Sequence, residues 1–366
     1  METSKERVLK AINHVQPEMT PVHIMGFEGV ERWLRHFQAR DVFELRGKLE
    51  LDIRMAPPIY TGPNASRGLS IWGTKRNVAG YQGVGYSREK GDHPLIGAES
   101  VADIERFNWP KADEFEFDAM KELLLTVPDM ACWVGPRAGV VEEGLSLKDA
   151  TGVPGAWIPF VCTLFELFGF EETLMKFHYQ PKLIEAAVYH FEVFILDLSQ
   201  RVLEASRGLA DIFWFGDDFA TARGMMMSPE HWRKFLKPTY RKIFSLAKRN
   251  ERKMWFHCCG TFREVMPDLI DIGMDVWETT QVHLPGNEPE VLKREYGKDI
   301  CFYGAINTQH TLPFGTPEEV RAEVRDRIRV LGKGGGYIVG GDHTILPDVP
   351  IENVLAMIDE ARNTNP

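Results

Sequence analysis

One pattern repeats through the second half of this chain: a short apolar run, a polar or glycine cluster, then a helical stretch. The runs are Asp211–Phe215, Lys253–Phe256, Asp275–Trp277, Ile300–Tyr303 and Gly336–Val339. Helix signals stand between them. Ser228-Pro229-Glu230 opens one helix, with Ser as cap and Pro at the first helical position. Pro238 is expected to break or kink it before Tyr240. Asn287 with Pro289 and Glu290 opens another. Thr316-Pro317-Glu318-Glu319 is a capping box, Gly332 closes that helix, and Pro350 starts the last one. Strands alternating with helices imply βα units and a parallel sheet, because parallel neighbours need a crossover between them.

Two α/β architectures satisfy that alternation, a (β/α)8 TIM barrel and a doubly wound sheet. The ends of the runs favour the barrel. Asp217 and Asp218 follow the first run, His257 and Cys259 the second, and Glu278 the third; Asn307 follows the fourth, and Asp342 and His343 the fifth. A barrel brings all its strand ends to one face, where barrel enzymes build their sites. An open sheet would gather only those at its switch point.

The first half is less regular. Thr3 to His14 reads as a helix with Thr3 as cap and Glu6 three residues on, and Thr20 to Phe27 as a first strand. Residues 55–95 are rich in Gly, Pro, Tyr and Asn and read as an excursion. Ala131–Val141 is a strand candidate, and Phe160–Phe168 and Pro181–Leu203 are helices. No internal repeat or linker divides residues 1–366, so the reading is a single barrel domain with N-terminal additions.

Composition narrows the function classes. Hydrophobic residues are 44% and charged residues 26%, which excludes a mostly disordered chain. A net charge of −10 argues against nucleic acid or an anionic membrane surface as partner. No window holds 18 uninterrupted apolar residues, so no transmembrane helix is expected. Met1 to Gln16 is charged and lacks an apolar signal-peptide region, and the five cysteines are scattered, so a cytoplasmic protein with reduced thiols is expected.

Two clusters carry chemistry. On a strand, residues i and i+2 face the same side, so His257 and Cys259 could bind one ion while Cys258 faces away. Thiolate and imidazole are zinc's usual ligands; His343 is a further candidate and Glu278 an oxygen ligand. The opposing reading is a hydrogen-bonded core histidine with buried, inert cysteines. Asp217-Asp218 places two carboxylates where an apolar strand emerges. One could act as general acid or base, or the pair could be a helix cap with a salt bridge to Arg223. Gly332-Lys333-Gly334-Gly335-Gly336 precedes a strand, the wrong order for a phosphate loop, and reads as a helix C-cap and turn. Met225-Met226-Met227 reads as packing or as the lining of an apolar pocket, and the basic run Arg241 to Lys253 as a solvated helix face.

Across nearly the whole chain the motifs resemble the uroporphyrinogen decarboxylase superfamily. They are Arg7-Val8-Leu9-Lys10-Ala11 with Thr20-Pro21-Val22, Gly216-Asp217-Asp218, Ser228-Pro229-Glu230 with Lys237-Pro238, and Phe256-His257-Cys258-Cys259-Gly260. Further on come Gly304-Ala305-Ile306-Asn307-Thr308-Gln309, Gly315-Thr316-Pro317-Glu318-Glu319-Val320, and Pro347-Asp348-Val349-Pro350 with Glu352-Asn353. The resemblance implies a (β/α)8 barrel. True decarboxylases of the family carry Arg-Gln-Ala-Gly-Arg-Tyr after the first strand, where arginines bind porphyrinogen carboxylates. Here the stretch is Ile24-Met25-Gly26-Phe27-Glu28-Gly29-Val30, which has no arginine and gains a glutamate that would repel an octacarboxylate.

The family's other branch contains cobalamin-linked methyltransferases, which bind zinc through a His-x-Cys pair and a cysteine near the C-terminus. His257 and Cys259 match the pair, and His343 stands in the place of that cysteine. The resemblance thus implies Zn2+ on His257, Cys259 and His343, with Glu278 or solvent as fourth ligand. It implies transfer of a methyl group from an O-methyl substrate, such as a methoxylated aromatic, to a corrinoid (cobalamin) carried by a partner protein. An imidazole in place of a thiolate leaves the zinc a stronger Lewis acid, suited to polarising a leaving oxygen. Asp217 or Asp218 would position or protonate that oxygen, and Trp214, Phe215, Met226, Tyr303 and Asn307 would line the pocket. A corrinoid protein:thiol methyltransferase is the alternative enzyme, ahead of a decarboxylase, and a zinc-free binding protein the alternative of another class. The partners expected are a corrinoid protein and a small-molecule methyl donor, with a homodimer as an open option.

Overall fold

The computed structural model describes residues 2–67, 69–74, 93–137 and 158–364. Seven strands run parallel in one sheet, neighbour to neighbour in chain order: β1 Ile53–Met55, β2 Ala131–Val134, β3 Ile212–Gly216, β4 Lys253–His257, β5 Val276–Thr280, β6 Cys301–Ile306 and β7 Tyr337–Gly341. Residues 20–24 close the ring. Val22 pairs in parallel with Val339 of β7. His23 N–H donates to Val339 O at 2.9 Å and Val339 N–H to Pro21 O at 2.8 Å. On the other side, Asp52 N–H, just before β1, donates to Val22 O at 2.9 Å. The fold is therefore a (β/α)8 barrel, as the alternation predicts. Its first member is not the continuous strand expected over Thr20–Phe27: Pro21 has no N–H to give, and pairing resumes only where Phe27 meets Ile345.

Both faces of the sheet are buried, which is why the strands read as near-continuous apolar runs. Ile53, Met55, Ala131, Trp133, Ile212, Trp214, Trp255, Val276, Cys301, Tyr303 and Ile338 point inward. They pack on Val8, Ala11 and Ile12 of the first helix, Ser4–Ile12, which plugs the N-terminal end of the barrel. Phe213, Phe215, Met254, Phe256, Trp277 and Phe302 face the other way, under the outer helices. Inside, Trp133 stacks on Trp214 at 5.5 Å between centroids, and Trp255 lies 5.2 Å from Tyr303. These rings fill the barrel and floor its C-terminal mouth.

The helix signals hold with two adjustments. Thr3–Glu6 and Thr316–Glu319 form full capping boxes, and Ser228 caps Pro229–His231 through its hydroxyl. Where a kink at Pro238 is expected, a π-turn over Trp232–Leu236 precedes the helix Lys237–Arg249. Pro238 lacks the N–H of a regular turn, and the wider turn absorbs the gap. A second π-turn, Ile328–Gly332, stands where Gly332 is expected to end its helix. The strand expected over Ala131–Val141 ends at Val134, and the part from residue 138 onward lies outside the described residues. The excursion contributes a short antiparallel ladder of Ile59–Tyr60 with Phe115–Glu116. The helices Val30–Phe37, Val42–Lys48 and Phe170–Tyr179 carry no signal singled out from the sequence. Among the described residues no helix is long and apolar enough to cross a membrane.

One carboxylate fastens the closure. Asp52 is buried; its Oδ2 accepts the Val22 N–H at 2.7 Å and its Oδ1 the Arg7 Nε–H at 3.2 Å. It thereby ties the closing segment to the plug helix. Asp52→Ala is expected to lower stability by about 2–3 kcal/mol, because it strands a half-buried guanidinium and a buried N–H together. A urea unfolding curve with a lower midpoint and unchanged slope would show it; an unchanged midpoint would refute the role.

Candidate metal centre

His257 ends β4 and, two residues after Trp255, faces into the barrel; it is 4% exposed. Cys259 follows as the chain turns over Gly260, whose φ of +87° and close approach to Thr221 leave no room for a side chain. Asp218 comes from the end of the neighbouring β3, and its Oδ1 accepts the Cys259 N–H at 2.9 Å. His257 Nε2 stands 3.7 Å from Asp218 Oδ1 and 3.6 Å from Cys259 Sγ. One ligand atom from each of the three residues lies within 4.8 Å of the other two. Ligands held about 2.0–2.3 Å from a tetrahedral zinc are about 3.5 Å apart, so the spacing, and the nitrogen, sulfur and oxygen donors, fit that ion.

The electrostatics agree. Burial and the Asp218 charge push the Cys259 thiol well above its usual range. A thiolate there needs a cation beside it. His257 behaves in the opposite sense: burial works against its charge, yet the Glu278 and Asp218 carboxylates hold it above its ordinary value. Cys258 packs with the outer core, as the strand alternation predicts for the residue between the pair.

Glu278 lies behind His257. It is buried on the inner face of β5, with Oε2 3.6 Å from His257 Nδ1. The same oxygen accepts the indole N–H groups of Trp214 and of Trp255, the latter at 2.9 Å. It is outside the three-residue group and faces the imidazole nitrogen turned away from it. Its placement suits orienting the imidazole instead of binding the ion directly. His343 also stands outside the group, just past β7. Its Nδ1 meets Thr344 Oγ1 at 2.9 Å, and Thr344 donates to Glu28 Oε1 at 3.3 Å. Burial, then the nearby His257, lowers the His343 pKa, while Asp218 opposes the shift.

The two adjacent aspartates part company. Asp217 is fully buried and accepts the Val161 N–H, at 2.8 and 2.9 Å to its two oxygens, together with the Tyr240 hydroxyl. It holds the first turn of the helix Phe160–Phe168, and burial raises its pKa to about 7. The cap reading suits it, with Tyr240 as its side-chain partner where Arg223 was expected.

The expected pocket residues divide likewise. Trp214 faces inward and floors the mouth, but Phe215 lies on the opposite face, 5.6 Å from Tyr240 under the helices. Tyr303 is deep in the barrel, 5.4 Å from the ring of His23. Asn307 uses its Oδ1 to accept the N–H groups of Gln309 and His310 at 2.8 and 3.0 Å, a turn contact. Met226 is half-buried against the outer core.

Three groups at the mouth escape a sequence reading. Arg137, three residues past β2, lays its guanidinium over Trp214 at 4.6 Å and Trp133 at 5.6 Å. His283 Nδ1 stands 3.1 Å from Asp342 Oδ2, and Asp342 also accepts the Thr308 N–H at 3.1 Å. Thr279 bulges from β5, where the register with β6 shifts at Tyr303/Gly304. Its Oγ1 lies 3.0 Å from Cys258 O and 3.8 Å from Cys259 Sγ. A single arginine or threonine carries no spacing signal that would mark it.

Residues 161–364 match the family model described as Uroporphyrinogen decarboxylase (URO-D). The chain belongs to the uroporphyrinogen decarboxylase family. Its relatives within and around that family differ in activity. A Methylated-thiol--coenzyme M methyltransferase from Methanosarcina mazei is 26% identical over 162 residues, 44% of this chain and 40% of the relative. A Uroporphyrinogen decarboxylase from Prochlorococcus marinus is 23% identical over 190 residues, 51% of this chain and 49% of the relative. The chain thus matches less than half the length of each of these curated relatives. Among solved structures, a methyltransferase from Methanosarcina mazei covers 99% of this chain and 99% of its own, with a TM-score of 0.66 at 19% identity. That likeness supports the barrel fold.

The aspartates of this family member give a clean test. Asp217→Ala leaves a buried N–H and a buried hydroxyl unpaired, and is expected to cost about 2–4 kcal/mol of stability with metal binding retained. Asp218→Ala leaves one part-buried N–H, that of Cys259, unpaired, and is expected to weaken metal binding at a smaller cost in stability than Asp217→Ala. Thermal melts paired with metal analysis would read both; matching effects from the two variants would contradict the division.

Proposed function

We propose that this member of the uroporphyrinogen decarboxylase family is a zinc-dependent methyltransferase, moving a methyl group from an O-methyl substrate to a corrinoid carried by a partner protein. The observation that carries the reading is the gathering of Asp218, His257 and Cys259 at the barrel mouth. His257, Cys259 and Asp218 would hold the ion, with His343, which feels the charge of His257, outside that group. This revises the ligand set expected from the motifs, with Asp218 replacing His343 and Glu278 moving behind His257. A zinc ion bound there supplies Lewis acidity toward the oxygen that leaves the methyl group.

The chain's own residues do the rest. Glu278 fixes the His257 ring so that Nε2 faces Cys259 and Asp218. The buried floor of Trp214 and Trp255 keeps water from beneath the site. A shell with one thiolate, one imidazole and one carboxylate carries the same formal charge as one with two thiolates, but its carboxylate oxygen is a harder, weaker electron donor than sulfur, which favours polarising an oxygen over activating a thiol. The stretch 24–30, without arginine and with Glu28 facing Thr344 near the mouth, weighs against an octacarboxylate substrate. The name of the Methanosarcina mazei relative favours a second reading, methyl transfer to or from a thiol.

The purified chain is expected to hold about one zinc, and His257→Ala to lose it. Glu278→Gln is expected to weaken zinc binding by roughly 10- to 100-fold. With a reduced corrinoid protein, a methoxy-aromatic should be converted to the phenol with methyl-cobalamin formed. Zinc without phenol release, but with methylation of a thiol from methyl-cobalamin, would overturn the ether reading in favour of the second.

A further inference from the structure

We propose that Arg137 binds an anionic substituent, a carboxylate or a sulfonate, on the molecule processed at the metal centre. This rests on the reading of that centre as a methyl-transfer site and names the class of substrate it takes.

Arg137 is 4% exposed, yet among the described residues its guanidinium makes no hydrogen bond and no ion pair. Its contacts are the faces of Trp214 and Trp133. Burial lowers it to about 10, so it remains a cation at neutral pH. Among the described residues the opposing charge that Arg137 feels is Glu278. Glu278 directs its Oε2 to two indole N–H groups and His257, and no ion pair joins it to Arg137. A second buried cation adds to the imbalance. Arg46 binds the carbonyls of Ile24 and Met25 at 2.7 and 3.0 Å, has no carboxylate partner among the described residues, and feels the charge of Arg137.

A buried cation without a counter-ion is destabilising. A fold retains one where a ligand brings the missing charge. Arginine is the suitable cation, because its planar fork binds a carboxylate through two parallel N–H groups. With the guanidinium carbon over the Trp214 and Trp133 rings and no hydrogen bond to it among the described residues, its N–H groups are available to donate.

The placement is specific. Trp214 carries Arg137 at 4.6 Å on one side and has the His257 ring at 6.1 Å on another. The guanidinium and the metal-binding imidazole therefore flank one indole, separated by no more than those two distances laid end to end. That is the reach of a single substituted ring, or of a short chain, with a methyl donor at one end and an anion at the other.

Calorimetric titration of the full-length, metal-loaded protein tests this without needing methyl transfer. The probes are 4-methoxybenzoate, its neutral counterpart 4-methylanisole, and 2-(methylthio)ethanesulfonate. At least one anionic probe is expected to bind roughly 100-fold tighter than 4-methylanisole, and the tighter of the two anions identifies the source. Arg137→Met should abolish that preference with zinc retained, and Arg137→Lys should keep part of it. If Arg137→Met does not fold, Arg137→Gln carries the same comparison. Equal binding of charged and neutral probes, or an anion preference that survives loss of the guanidinium, would overturn the proposal. Anion binding that depends on Arg137 in a protein that transfers no methyl group would uphold it while the methyl-transfer reading fails.

Discussion

A buried carboxylate joins the packing of this barrel to the chemistry at its mouth. Glu278 has almost no contact with water, so its charge must be met by donors inside the fold. Two indole N–H groups and the edge of His257 meet it. Each of those rings is itself wedged in place, Trp214 by Trp133 and Arg137, and Trp255 by Tyr303 and His23. The tryptophans therefore do more than fill volume. They are the donors that let a charge sit at the centre of an apolar barrel, and that charge sets which nitrogen of His257 faces the mouth.

The parallel ladder divides labour between neighbouring residues. Trp214 and Phe215 are adjacent, yet one floors the site and the other packs under the outer helices. Asp217 and Asp218, just past the strand, also divide, one closing the first turn of a helix and the other reaching His257 and Cys259. His257, Cys258 and Cys259 repeat it a strand later. Within the strand, for Trp214 and Phe215, the division follows which side of the sheet the Cβ points to; past the strand ends it follows the path of the turn.

Much of the architecture was legible because it rests on periodicity and local caps. The apolar runs of the second half match β3 to β7, and the capping boxes at Thr3 and Thr316 start their helices where expected. Legibility failed where local pattern and tertiary demand diverge. The first barrel member contains Pro21 and pairs discontinuously, so it lacks a strand's alternation. For the site, the His257 and Cys259 pairing was readable from the two-residue period. Asp218's share was not separable from Asp217's, because past the end of β3 the chain leaves the pleat. Asn307 and Phe215 looked like pocket residues by position along the chain, but one binds its own turn and the other faces outward. Arg137 could not be found at all, since its meaning lies in the two indoles beneath it.

The end of β5 shows what such tertiary demand costs. Thr279 is buried and β-branched, yet holds φ at +65°. That conformation is strained by roughly 1–3 kcal/mol, and folds keep such strain where the surroundings over-determine it. Here a bulge provides the determination: Glu278 pairs with Tyr303 and Thr280 with Gly304, leaving Thr279 as the extra residue. A bulge bends its strand and re-aims the side chain at the extra position. It brings Thr279 Oγ1 against the carbonyl of Cys258 and the sulfur of Cys259, while Glu278, one residue earlier, stays on the inner face behind His257. Without the extra residue, strict alternation would turn Thr279 away among the outer helices. The strain in β5 is thus the means by which one strand reaches both members of the His257–Cys259 pair, and it places the least favourable backbone of that strand against the candidate metal centre.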